Sequence, residues 1–197
     1  MPAIGITGGI STGKTAFCDC LREIAPAAKF FNADQAAREL AHLDPDVRKE
    51  IAQEFGADIY SAAGDLNRER VRAIILQSAS KKNALEQILH PRIRRQWSAE
   101  AQTSSSHFFF ADIPLLYETG GETLCDRVVV VACSPHIQLA RLLSRGKIGE
   151  GEAKEMIRSQ MPLEEKIKRA DHVIWNNGDR SVLAGQAAML MQLWGAP

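Results

Sequence analysis

Long apolar runs are missing from this 197-residue chain. None approaches the ~18 residues that a membrane-spanning helix needs, so no membrane partner is expected. An excess of charge of either sign is missing too. Twenty-four Lys and Arg stand against 24 Asp and Glu, which excludes the polybasic surface of a nucleic-acid binder and an acidic tail. Cysteine is scarce. Cys18, Cys20, Cys125 and Cys133 form no C-x-x-C pair, and the spacing of the first two does not suit the usual structural zinc sites. Reduced thiols in a cytoplasmic protein are the expectation. The opening Met1-Pro2-Ala3-Ile4-Gly5 lacks the basic flank and cleavage site of a signal peptide. Repeats, low-complexity tracts and long linkers are also lacking. What remains is a chain with 45% apolar residues, long enough to bury roughly 70% of its unfolded surface in one domain. An anionic ligand must be held here by local geometry, because bulk charge cannot hold it.

The patterning predicts an α/β fold. Pro2–Thr7 reads as a short strand running into Gly8 and Gly9, followed by a helix from Thr15 to Ile24 with Phe17, Leu21 and Ile24 on one face, then a strand at Lys29–Phe31. Strand, glycine-rich turn, helix and strand open a parallel sheet. Asp44-Pro45 starts a helix to about Phe55, and Asn67 caps one to about Gln77. Lys81–His90 continues the helical pattern, His90-Pro91 predicts a break, and a further helix runs through Ala101. His107–Ile113 and Arg127–Ala132, with four successive valines, suit strands buried on both faces. Ser134-Pro135 opens a helix to about Arg145, and Gly146-Lys147-Ile148-Gly149 is a loop. Short helices follow near 152–160 and 163–170, then a strand at His172–Trp175 and a last helix from Ser181 to Leu193. Five strands with helical crossovers result.

Gly8-Gly9-Ile10-Ser11-Thr12-Gly13-Lys14-Thr15 fits G-x-x-x-x-G-K-[ST], the P-loop. Glycines let the backbone turn so that successive N–H groups face phosphate oxygens. The helix starting there adds its positive end. Lys14 is a point charge for the β- and γ-phosphates, and the Thr15 hydroxyl can ligate Mg²⁺. The position directly after a strand and before a helix is the context that the motif requires.

Other candidates are less specific. Asp34 follows the second strand, on the side where ligands of open α/β sheets bind; it either serves an attacking hydroxyl or Mg²⁺, or caps a helix from Gln35. Asp112 ends the third strand as a metal-holding carboxylate or as a loop cap before Pro114. Arg141 to Ala170 carries eight Lys or Arg against five Asp or Glu. That is a solvated face, or a lid whose Arg141 and Arg145, one helical turn apart, close over a polyphosphate. His90 and the turn Trp175-Asn176-Asn177-Gly178 read alone as structural.

The ordered set of motifs resembles the dephospho-coenzyme A kinase family along nearly the whole chain. Ile6-Thr7-Gly8-Gly9-Ile10 into Gly13-Lys14-Thr15 resembles its P-loop, and Ala33-Asp34 with Ala37-Arg38-Glu39 its D-A-D-x-x-A-R region. Phe55-Gly56 with Gly64 and Arg68, His90-Pro91-Arg92-Ile93, and Asp112-Ile113-Pro114-Leu115-Leu116-Tyr117-Glu118 follow in the family's order. Ser134-Pro135 with Gln138, Arg141 and Arg145 resembles the start of its lid, and Gln160, Lys166, Ala170-Asp171 and Asn176-Asn177-Gly178 its tail. The resemblance implies a P-loop kinase with a five-stranded parallel sheet flanked by helices: a core of about 1–34, 107–135 and 171–197, a helical acceptor-binding insertion of about 35–106, and a lid of about 136–170. It implies transfer of the ATP γ-phosphoryl group to the ribose 3′-hydroxyl of dephospho-coenzyme A with Mg²⁺, by a monomer for which weak self-association remains open. Asp34 matches the catalytic carboxylate, acting with Lys14, Arg141 and Arg145. Gly9, Ile10, Ser11, Thr12, Gly13, Lys14, Thr15 and Ala16 match the ATP site, with Asn176 and Asn177 near its adenine end. Asp34, Arg38, His90, Pro114, Leu115, Leu116 and Glu118 fall in the acceptor site, and Thr15 and Asp112 at the metal.

Three positions depart from the family pattern. Asn32 stands where Asp is usual. Ser11 stands where Gly is common, which requires Ser11 to keep φ < 0 if it is to be unstrained. The lid tip Lys147-Ile148-Gly149 is short. The alternatives are another small-molecule P-loop kinase or a nucleotide switch; the chain has no N-K-x-D guanine motif. If Lys14 supplies the charge, Lys14→Ala should lower kcat/KM by about 10²-fold or more, measured by ADP release from the folded variant.

Overall fold

The computed structural model describes residues 3–146 and 148–195, so Pro2 and Lys147 of the expectations above lie outside the described residues. The chain divides into two compact units, residues 1–31 with 103–197, and residues 32–102.

The first unit is built on a five-stranded parallel sheet. Its strands are β1 (Ala3–Gly8), β2 (Lys29–Asn32), β3 (Phe109–Asp112), β4 (Arg127–Ala132) and β5 (His172–Trp175), in the order β2-β3-β1-β4-β5. In the central pairs Ile6 lies opposite Asp112 on one side and Val129 on the other. The valine run behaves as its composition predicts: Val128–Val131 are all buried, between β1 and β5.

One face of the sheet, with Ile4, Ile6, Phe108, Phe110, Val129, Val131 and Ile174, packs against α1 (Lys14–Ile24) and α9 (Arg180–Leu193). Phe17, Cys18 and Leu21 of α1 and Leu183, Ala187 and Met191 of α9 close this core. Ile24 was expected on the same face, but it ends its helix and is 40% exposed. The aromatics that the chain does have are concentrated here. Phe110 stacks on Phe30 at 5.0 Å, with Phe108 and Trp194 beside it. The His107–Ile113 strand shortens to Phe109–Asp112.

Three helices complete this unit, α6 (Pro135–Arg145), α7 (Glu150–Arg158) and α8 (Leu163–Arg169). Ser134 and Pro135 open α6 as expected, although the Ser134 side chain makes no capping bond.

The second unit is helical: α2 (Ala33–Leu43), α3 (Pro45–Phe55), α4 (Arg68–Gln77) and α5 (Ala79–Thr103). Its core gathers Ala41, Val47, Ile51, Phe55, Ile59 and Val71. Asp44 caps α3 through the Asp46 and Val47 N–H groups, with Pro45 in the first turn, and Asn67 caps α4 through Arg70 N–H. One alternative is excluded and one expectation fails. Asp34 is no cap, because Asn32 takes the Gln35 N–H at 2.8 Å. The helix does not break at His90-Pro91, since α5 runs through Pro91. A proline inside a helix costs about 3 kcal/mol. In the next residue, the Arg92 guanidinium donates to Ile88 O and to Glu50 Oε1 of α3, each at 2.6 Å.

Phe110 is fully buried among aromatic neighbours. Phe110→Ala should therefore lower unfolding free energy by about 3–5 kcal/mol, read by chemical denaturation.

Candidate active site

The glycine-rich segment leaves β1 at Gly8 and enters α1 at Lys14. Four of its carbonyl groups are held by side chains, three of them from outside the loop. Lys166 Nζ on α8 donates to Gly8 O at 3.2 Å. Gly9 O accepts from the Thr12 hydroxyl at 2.9 Å and the Thr12 N–H at 3.3 Å. Gln138 Nε2 on α6 donates to Ile10 O at 2.8 Å. Asn176 Nδ2, just after β5, donates to Thr12 O at 2.8 Å. In a trans peptide the N–H of the following residue points opposite to the C=O. The Ser11 and Gly13 N–H groups are therefore turned to the other side of the loop, and the uncapped start of α1 lies next to them. Such a row of N–H groups at a helix N-terminus binds anions.

Gly13 is required at its position. Its φ is +96°, and a Cβ there would lie 1.9 Å from Asn176 Nδ2. Ser11 corrects the sequence expectation, because its φ is +57°, the left-handed region. That conformation costs a side-chain-bearing residue about 1–2 kcal/mol.

Lys14 Nζ forms an ion pair with Asp112 Oδ1 at the end of β3. Asp112 is 3% exposed, a position it owes to its register opposite Ile6 on β1. Next to this pair, burial pushes the Cys18 thiol to about 12, with the Asp112 carboxylate raising it further and Lys14 opposing. Thr15 lies exposed in the first turn of α1. Arg141 of α6 donates to Thr12 O at 3.4 Å and Asn176 O at 3.0 Å, while Arg145 is exposed at the end of that helix. The Asn177 side chain accepts the Ser134 N–H at 2.8 Å. The structure thus brings Lys14, Asp112, Arg141 and Asn176 together around one loop.

A family model described as dephospho-CoA kinase matches residues 2–181. The chain belongs to the dephospho-CoA kinase family. It is 36% identical to the dephospho-CoA kinase of Bacillus anthracis over 194 residues, covering 97% of this chain and 96% of that one. The solved structure of TT1252 from Thermus thermophilus superimposes with a TM-score of 0.81 and 28% identity, covering 100% of this chain and 98% of that one. That of the Campylobacter jejuni dephospho-CoA kinase gives a TM-score of 0.72 and 25% identity, covering 96% and 95%.

Of the positions that resemble the family's acceptor site, Asp34 lies exposed in the first turn of α2, with Arg38 exposed one turn later. His90 is half-buried on α5; burial lowers its pKa below the usual histidine value, and Glu86 opposes this. Pro114, Leu115, Leu116 and Glu118 belong to the first unit. Leu116 is buried against Gly5. Pro114 O accepts from the Thr7 hydroxyl at 2.9 Å and from Lys166 at 3.0 Å. Glu118 Oε1 pairs with Lys166 Nζ at 2.9 Å and accepts the Met161 N–H at 3.0 Å.

Sequence reasoning gave no individual role to Lys166, Gln138 or Gln160. Lys166 is 0% exposed. It ties Gly8 O, Pro114 O and the Glu118 carboxylate together, although Leu163-Glu164-Glu165-Lys166 reads as a solvated helix start. The available signal was its place in the family's tail, which carries no geometry. Removing one partner of a buried pair leaves charge and carbonyls unpaired. Lys166→Ala should cost about 3–5 kcal/mol of stability, seen in urea unfolding. Glu118→Gln should cost less, because solvent reaches Glu118 and Lys166 keeps its two carbonyls.

Proposed function

We infer that this chain transfers the γ-phosphoryl group of ATP to the ribose 3′-hydroxyl of dephospho-coenzyme A, giving coenzyme A and ADP, the last step of coenzyme A synthesis. The observation that carries this reading is the loop from Gly8 to Thr15 with its carbonyls drawn outward and Lys14 beside Asp112, in a chain of the dephospho-CoA kinase family.

The backbone N–H groups between Ser11 and Ala16, apart from the Thr12 N–H that bonds Gly9 O, hold the phosphates, and the Lys14 ammonium leaves Asp112 to neutralise charge developing on the transferred group. Arg141 and Arg145 supply further cationic groups to the polyphosphate, and Asn176 and Asn177 lie at the adenine end. The donor set suits Mg²⁺ brought in with ATP. Mg²⁺ keeps several waters and is held by one or two carboxylates plus phosphate oxygens, and no group of three or more His, Cys, Asp or Glu side chains forms a metal cage among the described residues. Thr15 and Asp112 would hold it, and its charge would offset that of the phosphates. Asp34 orients the attacking hydroxyl and takes its proton as the new P–O bond forms and the bond to the ADP oxygen breaks. Arg38, His90 and the Pro114–Glu118 stretch belong to acceptor binding by the helical insertion and the core. The four free cysteines support a reducing, cytoplasmic setting.

ADP release from Mg·ATP should depend on added dephospho-coenzyme A; release that ignores this acceptor, or prefers a nucleoside or shikimate, would overturn the assignment. Asp34→Asn keeps size and removes charge. It should lower kcat by about 10²–10⁴-fold and leave ATP affinity near its original value. Loss of Mg·ATP affinity with kcat retained would instead make Asp34 part of the metal site.

A further inference from the structure

Two glutamines grip the peptide units on either side of Ile10. Gln160, in the turn after α7, accepts the Ile10 N–H through Oε1 at 2.8 Å. Gln138, 5% exposed on α6, donates through Nε2 to Ile10 O, also at 2.8 Å. The contacts have opposite polarity, one acceptor and one donor, so each fits only one end of the residue. Holding both ends fixes φ and ψ of Ile10 and the plane of the Ile10–Ser11 peptide. With Ile10 O drawn toward α6, the Ser11 N–H is turned away from it.

The next residue is the strained one. Ser11 has φ +57° and is the non-glycine residue with positive φ among those described. Such a conformation persists only where the surroundings over-determine it. A glycine at this position would adopt it without steric cost; a serine needs outside support. The bracket of Gln138 and Gln160 is the support next to it.

We propose that Gln138 and Gln160 are positioning residues for phosphate binding: they hold the Ile10 peptides so that Ser11, in its left-handed conformation, presents its N–H to the nucleotide. The proposal deepens the ATP-site reading given above and rests on it. Neither glutamine need touch the substrate. Their effect reaches it through the backbone.

The test is a double-mutant cycle between Gln160→Leu and Ser11→Gly. Gln160→Leu removes the acceptor at similar volume, while Ser11→Gly removes the steric cost of positive φ. Affinity for the magnesium complex of the non-hydrolysable analogue AMP-PNP is measured by titration calorimetry, and kcat/KM for ATP and KM for dephospho-coenzyme A by ADP release. With Ser11 present, Gln160→Leu should weaken nucleotide affinity about tenfold, with the acceptor KM within about twofold of the original. In the Ser11→Gly background, the same substitution should change nucleotide affinity by no more than about twofold. An equal loss in both backgrounds overturns the proposal, since general loosening of the fold does not depend on the residue at this position. Unchanged affinity in Gln160→Leu overturns it too. Gln138→Met, cut on the other side of Ile10, is read against the same pair of backgrounds and decides the matter if Gln160→Leu does not fold. A wild-type protein that binds AMP-PNP but shows no turnover with dephospho-coenzyme A would count against the assigned acceptor alone, because nucleotide affinity still reads the coupling.

Discussion

The planarity of the peptide bond is the constraint on which the site depends. A carbonyl and the N–H that follows it point in opposite directions, so a protein can aim N–H groups at a ligand by holding carbonyls from behind. Here Lys166, Gln138 and Asn176 each hold one, at Gly8, Ile10 and Thr12. The three side chains come from α8, α6 and the turn after β5. Elements around the sheet therefore hold the loop through its carbonyls. A free glycine-rich segment would sample many conformations, and binding would bear the entropy of ordering it.

The same arrangement explains why costly features are tolerated. A lysine with no solvent exposure loses its hydration, and it remains because two carbonyls and a carboxylate surround the ammonium. Ser11 in the left-handed region and Asn176 with its amide buried are similar cases. Each is locally unfavourable, and each lies within a few bonds of the loop. The apolar core of the first unit, from Ile4 and Ile6 to the Phe30, Phe108 and Phe110 stack, carries the stability that these features draw on.

Much was legible from residue order alone. The strands came from short β-branched and aromatic runs, the caps at Asp44 and Asn67 from side chains that reach their own backbone, and the loop from glycines placed between a strand and a helix. These are local properties: hydrogen bonds span a few residues, and burial of a strand on both faces demands an apolar run such as Val128–Val131. The family resemblance added the order of motifs, and with it the reaction, which the match over residues 2–181 supports.

What the tertiary structure decided are the matters that depend on distant partners. Ser11 takes positive φ, against the local expectation, beside an Ile10 whose two peptide groups are held by Gln138 and Gln160, more than 120 residues away in the chain. Whether Lys166 faces water or fills a buried site depends on Gly8, Pro114 and Glu118. That α5 runs on through Pro91, against the local expectation of a break, is likewise a feature of the folded chain. In each case local propensity favours one outcome by a few kcal/mol at most, little enough for the packing of distant residues to outweigh it. The sequence by itself determined which elements form and which chemistry the loop can hold. The packing of those elements determined how the loop is set.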